Sequence, residues 1–194
     1  MANHTLHVLR LCALAATLAL PAALHAQVSP GTTFSASGGL TAPVGDLGDG
    51  AKMGYHAQLS LAGRAPLMGG TTLRADAFYA GMGGKDGGAD VKLWSLDINV
   101  VFSAAMDRGG VRPYVLGGVG YYNTTLDGGL VETDGRSSVG FNGGGGLEFD
   151  LGEGLGAFLE VRYHHVVDAF EQPLLLGTGK KAAQLVPVSI GLRF

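Results

Sequence analysis

The chain has 194 residues, a formal net charge of −3, 46% hydrophobic residues and 34 glycines. That charge offers nothing to nucleic acid, and glycine far above its usual share of about 7% argues against a helical fold. After Ala26 no apolar run approaches the roughly 20 residues of a spanning helix, and no triplet period suggests collagen.

The N-terminus reads as an address. Met1–Arg10 carries one basic residue and no acid, Leu11–Leu20 is almost wholly apolar, and Pro21–Ala26 leads to Gln27. This is the three-part layout of a secretory signal peptide, cut after Ala26, although Leu24 is larger than the small residue usual three places before the cut. Residues 1–26 are therefore expected to leave, and 27–194 to form one domain. The single cysteine, Cys12, leaves with the signal, so the exported domain has no disulfide and no thiol chemistry.

From Thr32 onward the chain alternates with the period of a β-strand, in which successive side chains point to opposite faces. The first predicted strand is Thr32–Thr41, with Phe34, Ala36, Gly38 and Leu40 on its apolar side, and Pro43–Met53 is a long loop. Gly54–Ala65 sets Tyr55, Ala57, Leu59 and Leu61 against His56, Gln58, Ser60 and Arg64, and Pro66–Gly70 is a short turn. Thr71–Met82 sets Leu73, Ala75, Ala77 and Tyr79 against Arg74, Asp76 and Phe78, before a loop over Gly83–Asp90. Val91–Ser103 sets Trp94, Leu96, Ile98, Val100 and Phe102 against Ser95, Asp97 and Asn99, and Ala104–Gly110 turns the chain.

Val111–Tyr122 has the weakest alternation, and Asn123–Arg136 is a third long loop. Ser137–Leu151 places Val139, Phe141, Leu147 and Phe149 opposite Asn142 and Glu148, with Gly143–Gly146 letting the strand coil tightly. After a tight turn at Gly152–Gly156, Ala157–Val167 sets Leu159, Val161, Tyr163 and His165 against Phe158, Glu160, Arg162 and His164. Asp168–Ala182 is the fourth long loop. The last strand, Leu185–Phe194, puts Val186, Val188, Ile190, Leu192 and Phe194 on one face, while Gly54–Ala65 remains the clearest.

Eight strands with connections alternating long and short predict an all-β, up-and-down antiparallel barrel that spans a membrane. The strands are near the about 9–11 residues needed to cross when tilted. The charged set on the polar parity is nearly balanced, five arginines (64, 74, 112, 162, 193) against four acids (76, 97, 148, 160), as expected of groups enclosed together. The apolar parity carries Tyr55, Tyr79, Trp94, Phe102, Tyr121, Phe149 and Phe194 toward strand ends, the pattern of interfacial aromatic girdles. A soluble exported barrel with a ligand cavity would turn this face inward instead.

The segments Pro113–Tyr122, Val139–Asp150, Phe158–His164 and Val186–Phe194 resemble the eight-stranded outer-membrane β-barrel superfamily, which includes the OmpA membrane domain and OmpX-type proteins. The resemblance covers residues 27–194. It implies residence in the bacterial outer membrane among lipids and lipopolysaccharide, and recognition by the assembly machinery through the terminal aromatic Phe194. The anchoring role of the full OmpA protein is not implied, since no peptidoglycan-binding domain follows Phe194. A monomer is expected.

No motif outweighs its bland reading. His164 and His165 are adjacent and so point to opposite faces, unable to share a metal. The family's deacylases suggest a His-x-Ser pattern, but Val166, Val167 and Asp168 follow the histidines, and neither Ser95 nor Ser189 has a histidine nearby in sequence. Gly177–Lys181 lacks the glycine and hydroxyl residue of a phosphate loop, with Leu174 and Lys181 in their places, and reads as loop. Asp46, Asp49 and Gly50 do not match a calcium loop. Asn123-Thr124-Thr125 is a glycosylation pattern of little weight in a bacterial protein. The expectation is therefore a non-enzymatic barrel with no catalytic, metal or cofactor residues, its small interior filled by side chains. A lipid-modifying enzyme is the rival.

Overall fold

The computed structural model describes residues 31–65, 71–104, 110–128, 133–174 and 177–194. The expected signal peptide, 1–26, and the turn at 66–70 lie outside them. Eight strands form one closed antiparallel sheet in chain order: β1 (Thr32–Val44), β2 (Gly54–Ala65), β3 (Thr71–Met82), β4 (Asp90–Ser103), β5 (Val111–Asp127), β6 (Thr133–Gly152), β7 (Leu155–Leu174) and β8 (Gly177–Arg193). The barrel closes where β1 pairs with β8, from Ser35↔Arg193 to Val44↔Gln184. Closure removes the exposed strand edges that lipid could not satisfy.

β2 and β3 have the expected bounds. The second half of the chain differs. Asn123–Arg136 and Asp168–Ala182 are largely not loops, because β5 and β6 stay paired out to Leu126↔Thr133, and β7 and β8 out to Leu174↔Gly177. Register shifts at Thr124/Leu126 and Val166/Phe170 interrupt both ladders. Such bulges bend and twist the hairpins where they leave the barrel wall. The Pro43–Met53 loop also holds a one-turn helix, α1 (Gly45–Gly50), despite its glycines. The turn between β6 and β7 is two residues, Glu153 and Gly154, both with positive φ (54° and 83°). Positive φ at both central residues matches the right-handed strand twist in a tight hairpin.

The apolar parity faces out. Leu59, Leu96, Ile98, Val119, Val139 and Ile190 are each half exposed or more, so the soluble-barrel alternative, with this face inward, is overturned. Toward the loop rim the belt ends in Tyr55, Tyr79, Trp94 and Tyr121, with Trp94 against Tyr121 at 5.7 Å. Toward the turn rim it ends in Phe102 and the stacked pair Phe34–Phe194. Trp94 and Phe102 are separated by about 27 Å along the strand, or roughly 20 Å at a tilt near 40°, comparable to the apolar band of a membrane barrel.

Interior glycines make room for interior side chains. A Cβ on Gly146 would stand 2.6 Å from the Tyr114 hydroxyl oxygen, and one on Gly144 would stand 2.8 Å from Arg162 Cα. The glycine run of β6 thus clears lumen volume as well as easing its curvature.

Candidate functional site: the filled lumen and its two mouths

The polar parity meets in mid-lumen. Arg74 and Asp76 come from β3, Asp97 and Asn99 from β4, and Glu160 and Arg162 from β7, all nearly inaccessible. Arg162 Nη1 reaches Asp76 Oδ2 at 2.9 Å and its Nη2 reaches Glu160 Oε1 at 2.6 Å. Arg74 Nη1 reaches the other Glu160 oxygen at 2.9 Å and its Nε lies 3.1 Å from Asp76 Oδ1. Two arginines and two acids therefore form a closed ring. Tyr114 donates to Glu160 Oε2 at 2.7 Å, and the Asn99 amide to Asp76 Oδ2 at 2.7 Å. Ser95 donates to Asp97 at 2.8 Å. Charge-assisted bonds of this kind are short, and they offset the cost of removing ions from water only when nearly all their groups are satisfied.

The cross-strand partners of Arg162 and Glu160 follow from the shared interior face. The contact between Glu160 and Arg162 themselves does not, since same-face neighbours stand about 6.5–7 Å apart along a strand. The long arginine side chain closes that gap, its Nε and Nη2 both reaching Glu160 Oε1, at 3.1 and 2.6 Å.

The two histidines divide as their parity requires. His164 is fully buried, its Nδ1 2.9 Å from the Tyr122 hydroxyl and its ring stacked on Phe78 at 5.0 Å. His165 lies on the outer face, stacked on Phe141 at 4.8 Å. Gly177–Lys181 is the start of β8, not a loop, and Asp46 and Asp49 belong to α1. Asn123, Thr124 and Thr125 fall within β5. Among the described residues no three His, Cys, Asp or Glu side chains gather as a metal site.

One pairing was not legible in the sequence. His56 Nε2 lies 2.8 Å from Ser189 Oγ, and its Nδ1 lies 2.9 Å from Thr41 Oγ1. His56 and Ser189 both pair opposite Gly39, on β2 and β8 respectively. Gly39 has no side chain to part them. The signal is the glycine, but it becomes readable only once the closing register of β1 and β8 is known. All three polar residues are buried, and the histidine's second partner is a hydroxyl, not the carboxylate that orients a catalytic base.

The two ends of the lumen differ. At the loop rim, Leu47 of α1 joins Phe78, Met82, Leu93, Tyr122, Val166 and Leu185 in an apolar cluster that stoppers the barrel. The β3–β4 loop clasps α1 from above, with Lys85 N bonded to Gly50 O at 2.9 Å and Lys52 N to Gly83 O at 2.7 Å. At the turn rim a cavity of about 240 Å³ opens below Arg74 and Tyr114.

A closed antiparallel barrel, apolar outside and ion-paired within, is a transmembrane β-barrel of the small, plugged kind. The chain belongs to the outer membrane protein beta-barrel domain family, whose model matches residues 12–194. Its fold is similar to that of Neisserial surface protein A from Neisseria, with a TM-score of 0.62 at 16% identity over 84% of this chain and 95% of that one. The N-terminal barrel domain of Pseudomonas aeruginosa OprF gives 0.51 at 12% identity, covering 84% and 98% of the respective chains. A major outer membrane protein of Thermus thermophilus gives 0.51 at 12%, again over 84% and 98%. No curated protein sequence matches the chain. These likenesses carry the fold, and the family carries the outer membrane.

Proposed function

We infer that the protein is a non-enzymatic outer-membrane barrel whose lumen is a plug, acting by packing the membrane or through contacts made at its loop rim. The observation behind this reading is the filled lumen, in which the Arg74–Asp76–Glu160–Arg162 ring lies beneath an apolar stopper. Solute passage would require breaking buried ion pairs. The paired extensions of β5–β6 and β7–β8 beyond the Trp94–Tyr121 band offer surface for contact outside the membrane. A surface role also suits the name of the Neisserial neighbour. Against catalysis stands the enclosure of the Ser189–His56 pair, both side chains being buried.

The expected partners are outer-membrane lipids and lipopolysaccharide around the belt, with the barrel monomeric and 1–26 removed on export. Phe194 is paired to Phe34 through both backbone bonds, at 3.1 and 2.7 Å, and would serve as the aromatic read by the assembly machinery. The purified barrel in a planar bilayer should show no stable conductance steps. An epitope inserted at 129–132, between β5 and β6, should be labelled on intact cells. A steady channel, or release of acyl chains from lipid A that Ser189→Ala abolishes, would overturn this reading.

A further inference from the structure

The turn-rim cavity is basic in an acidic chain. Among the described residues, Arg64, Arg74, Arg112 and Arg193 line it, against one lining carboxylate, Glu148. All four lie on the polar parity and line the lumen, so they are not placed to meet lipid headgroups outside the wall. Their commitments are incomplete. Glu148 is ion-paired to Arg193 Nε at 2.8 Å, though without hydrogen-bond geometry, and Arg112 Nη1 stands 3.9 Å away, beyond a hydrogen bond. Arg64 makes no ion pair among the described residues and is exposed. At the floor, Arg74 is nine-tenths buried and ion-paired through Nε and Nη1, yet its Nη2 has no hydrogen-bond partner in the protein.

That nitrogen is itself enclosed, so the floor supplies positive charge and not a free donor. Two further guanidinium groups with uncommitted donors stand around the same opening. Arginine's planar fork suits oxyanions bidentately. The volume, about 240 Å³, falls below the roughly 300–1,000 Å³ of pockets that enclose drug-sized ligands, which suits a small ligand. Thr33, Ser35 and Thr72 add hydroxyls to the wall. The rim carries the short turns and both chain ends of the barrel, which in membrane barrels face the periplasm.

We propose that the turn-side mouth is a binding site for a small, water-soluble periplasmic oxyanion of the phosphate or dicarboxylate type, held by Arg64 and Arg112 over a floor to which Arg74 adds positive charge. The proposal is separate from any role of the loop rim. It makes the barrel asymmetric in use as well as in form, with a blind receptor on one side of the plug and a surface on the other.

The test is isothermal titration of the full barrel, refolded in uncharged maltoside detergent at low salt in an amine buffer, with inorganic phosphate in one arm and succinate in the other. One-site binding with Kd below about 1 mM is expected for at least one anion, weakening as salt screens the cluster. Tighter phosphate assigns the site to phosphoryl groups, and tighter succinate to carboxylates. Arg64→Gln with Arg112→Gln should weaken binding at least about tenfold, the scale of a lost charge-assisted bond. Lys92→Gln, at the opposite rim, should leave it unchanged. Heat-modifiable gel migration checks that each variant is folded, and Arg64→Gln alone, which breaks no ion pair, serves if the double variant does not fold. Absence of saturable binding for both anions, or binding that survives loss of both rim arginines, would overturn the proposal.

Discussion

The loop-side and turn-side mouths of one lumen are finished in opposite chemistries. The loop side is dry, with Leu93, Leu185 and Tyr122 fully buried beneath Leu47 of α1. The turn side is open and charged, with the Arg112 side chain 58% exposed above a hollow. The same alternation builds both ends. They differ because apolar residues such as Phe78, Leu93 and Leu185 take over the inward parity above the ion ring, and arginines take it below. Parity fixes which way a side chain points, and residue type along the inward row then decides which end closes.

The ion ring separates the two ends, and breaking it should have the largest effect. Arg162→Met leaves Asp76 and Glu160 short of a cation in a space from which water is excluded, a change expected to cost about 3–5 kcal/mol. Unfolding in urea, followed by gel migration and tryptophan emission from Trp94, would measure it. Double-mutant cycles should give coupling of about 0.5–3 kcal/mol to both Asp76 and Glu160 and none to Glu148. A neutral Arg162→Met would mean water threads the ring, and the two mouths would then be ends of one channel.

Next comes the stopper itself. Leu93→Ala removes a fully buried side chain from the closed end and should cost about 2–5 kcal/mol. Val101→Ala, whose side chain borders the turn-side hollow, should cost clearly less, because the hollow is already there. Equal costs relative to the volume removed would erase the contrast between a packed end and an open one.

The sequence carried the wall better than the lumen. β2 and β3 were readable to the residue, because lipid outside and polar groups inside impose strict alternation between short connections. The outer parts of β5–β8 escaped, since beyond the aromatic band no lipid face enforces a pattern and backbone pairing alone sustains the strands. α1 escaped for a related reason: one buried residue, Leu47, anchors it, and one residue has no period. The partners Asp76 for Arg162 and Arg74 for Glu160 were within reach once parity named the inward face. The Glu160–Arg162 contact needed the lean of a side chain, and Ser189–His56 needed the register of a seam joining residues 133 apart in sequence.

The wall supplies a third test. Leu96 is 58% exposed on the lipid face and Asn99 is fully buried on the other. Leu96→Arg should cost about 2–4 kcal/mol, the midplane penalty for a lipid-facing charge. Asn99→Arg avoids that penalty but meets a packed lumen, so Asn99→Asp and Asn99→Ser separate volume from polarity. If Leu96→Ser and Asn99→Ser cost the same, the faces do not differ as described, and neither mouth would be the end of an enclosed space.

The smallest expected effect is the sharpest for the open mouth, because it predicts a gradient among three inward arginines on different strands. Arg74, ion-paired to Asp76 and Glu160 and nine-tenths buried, should tolerate Arg74→Gln poorly. Arg193 is one-quarter exposed and paired to Glu148 at 2.8 Å. Its substitution by Gln should cost about 0.2–1 kcal/mol, as partly exposed pairs do. Arg64 stands in solvent without an ion pair among the described residues, so Arg64→Gln should change stability by no more than about 0.5 kcal/mol in either direction. It would do so in the favourable direction if repulsion from Arg112 and Arg193 outweighs the lost packing of its stem. Unfolding midpoints in low and high salt separate those terms, because screening removes the repulsion and leaves the packing. A step down from Arg74 through Arg193 to Arg64 is what an opening cavity requires. If Arg64→Gln were as costly as Arg74→Gln, the rim would be closed in solution, and the turn side would be a second stopper made of charge.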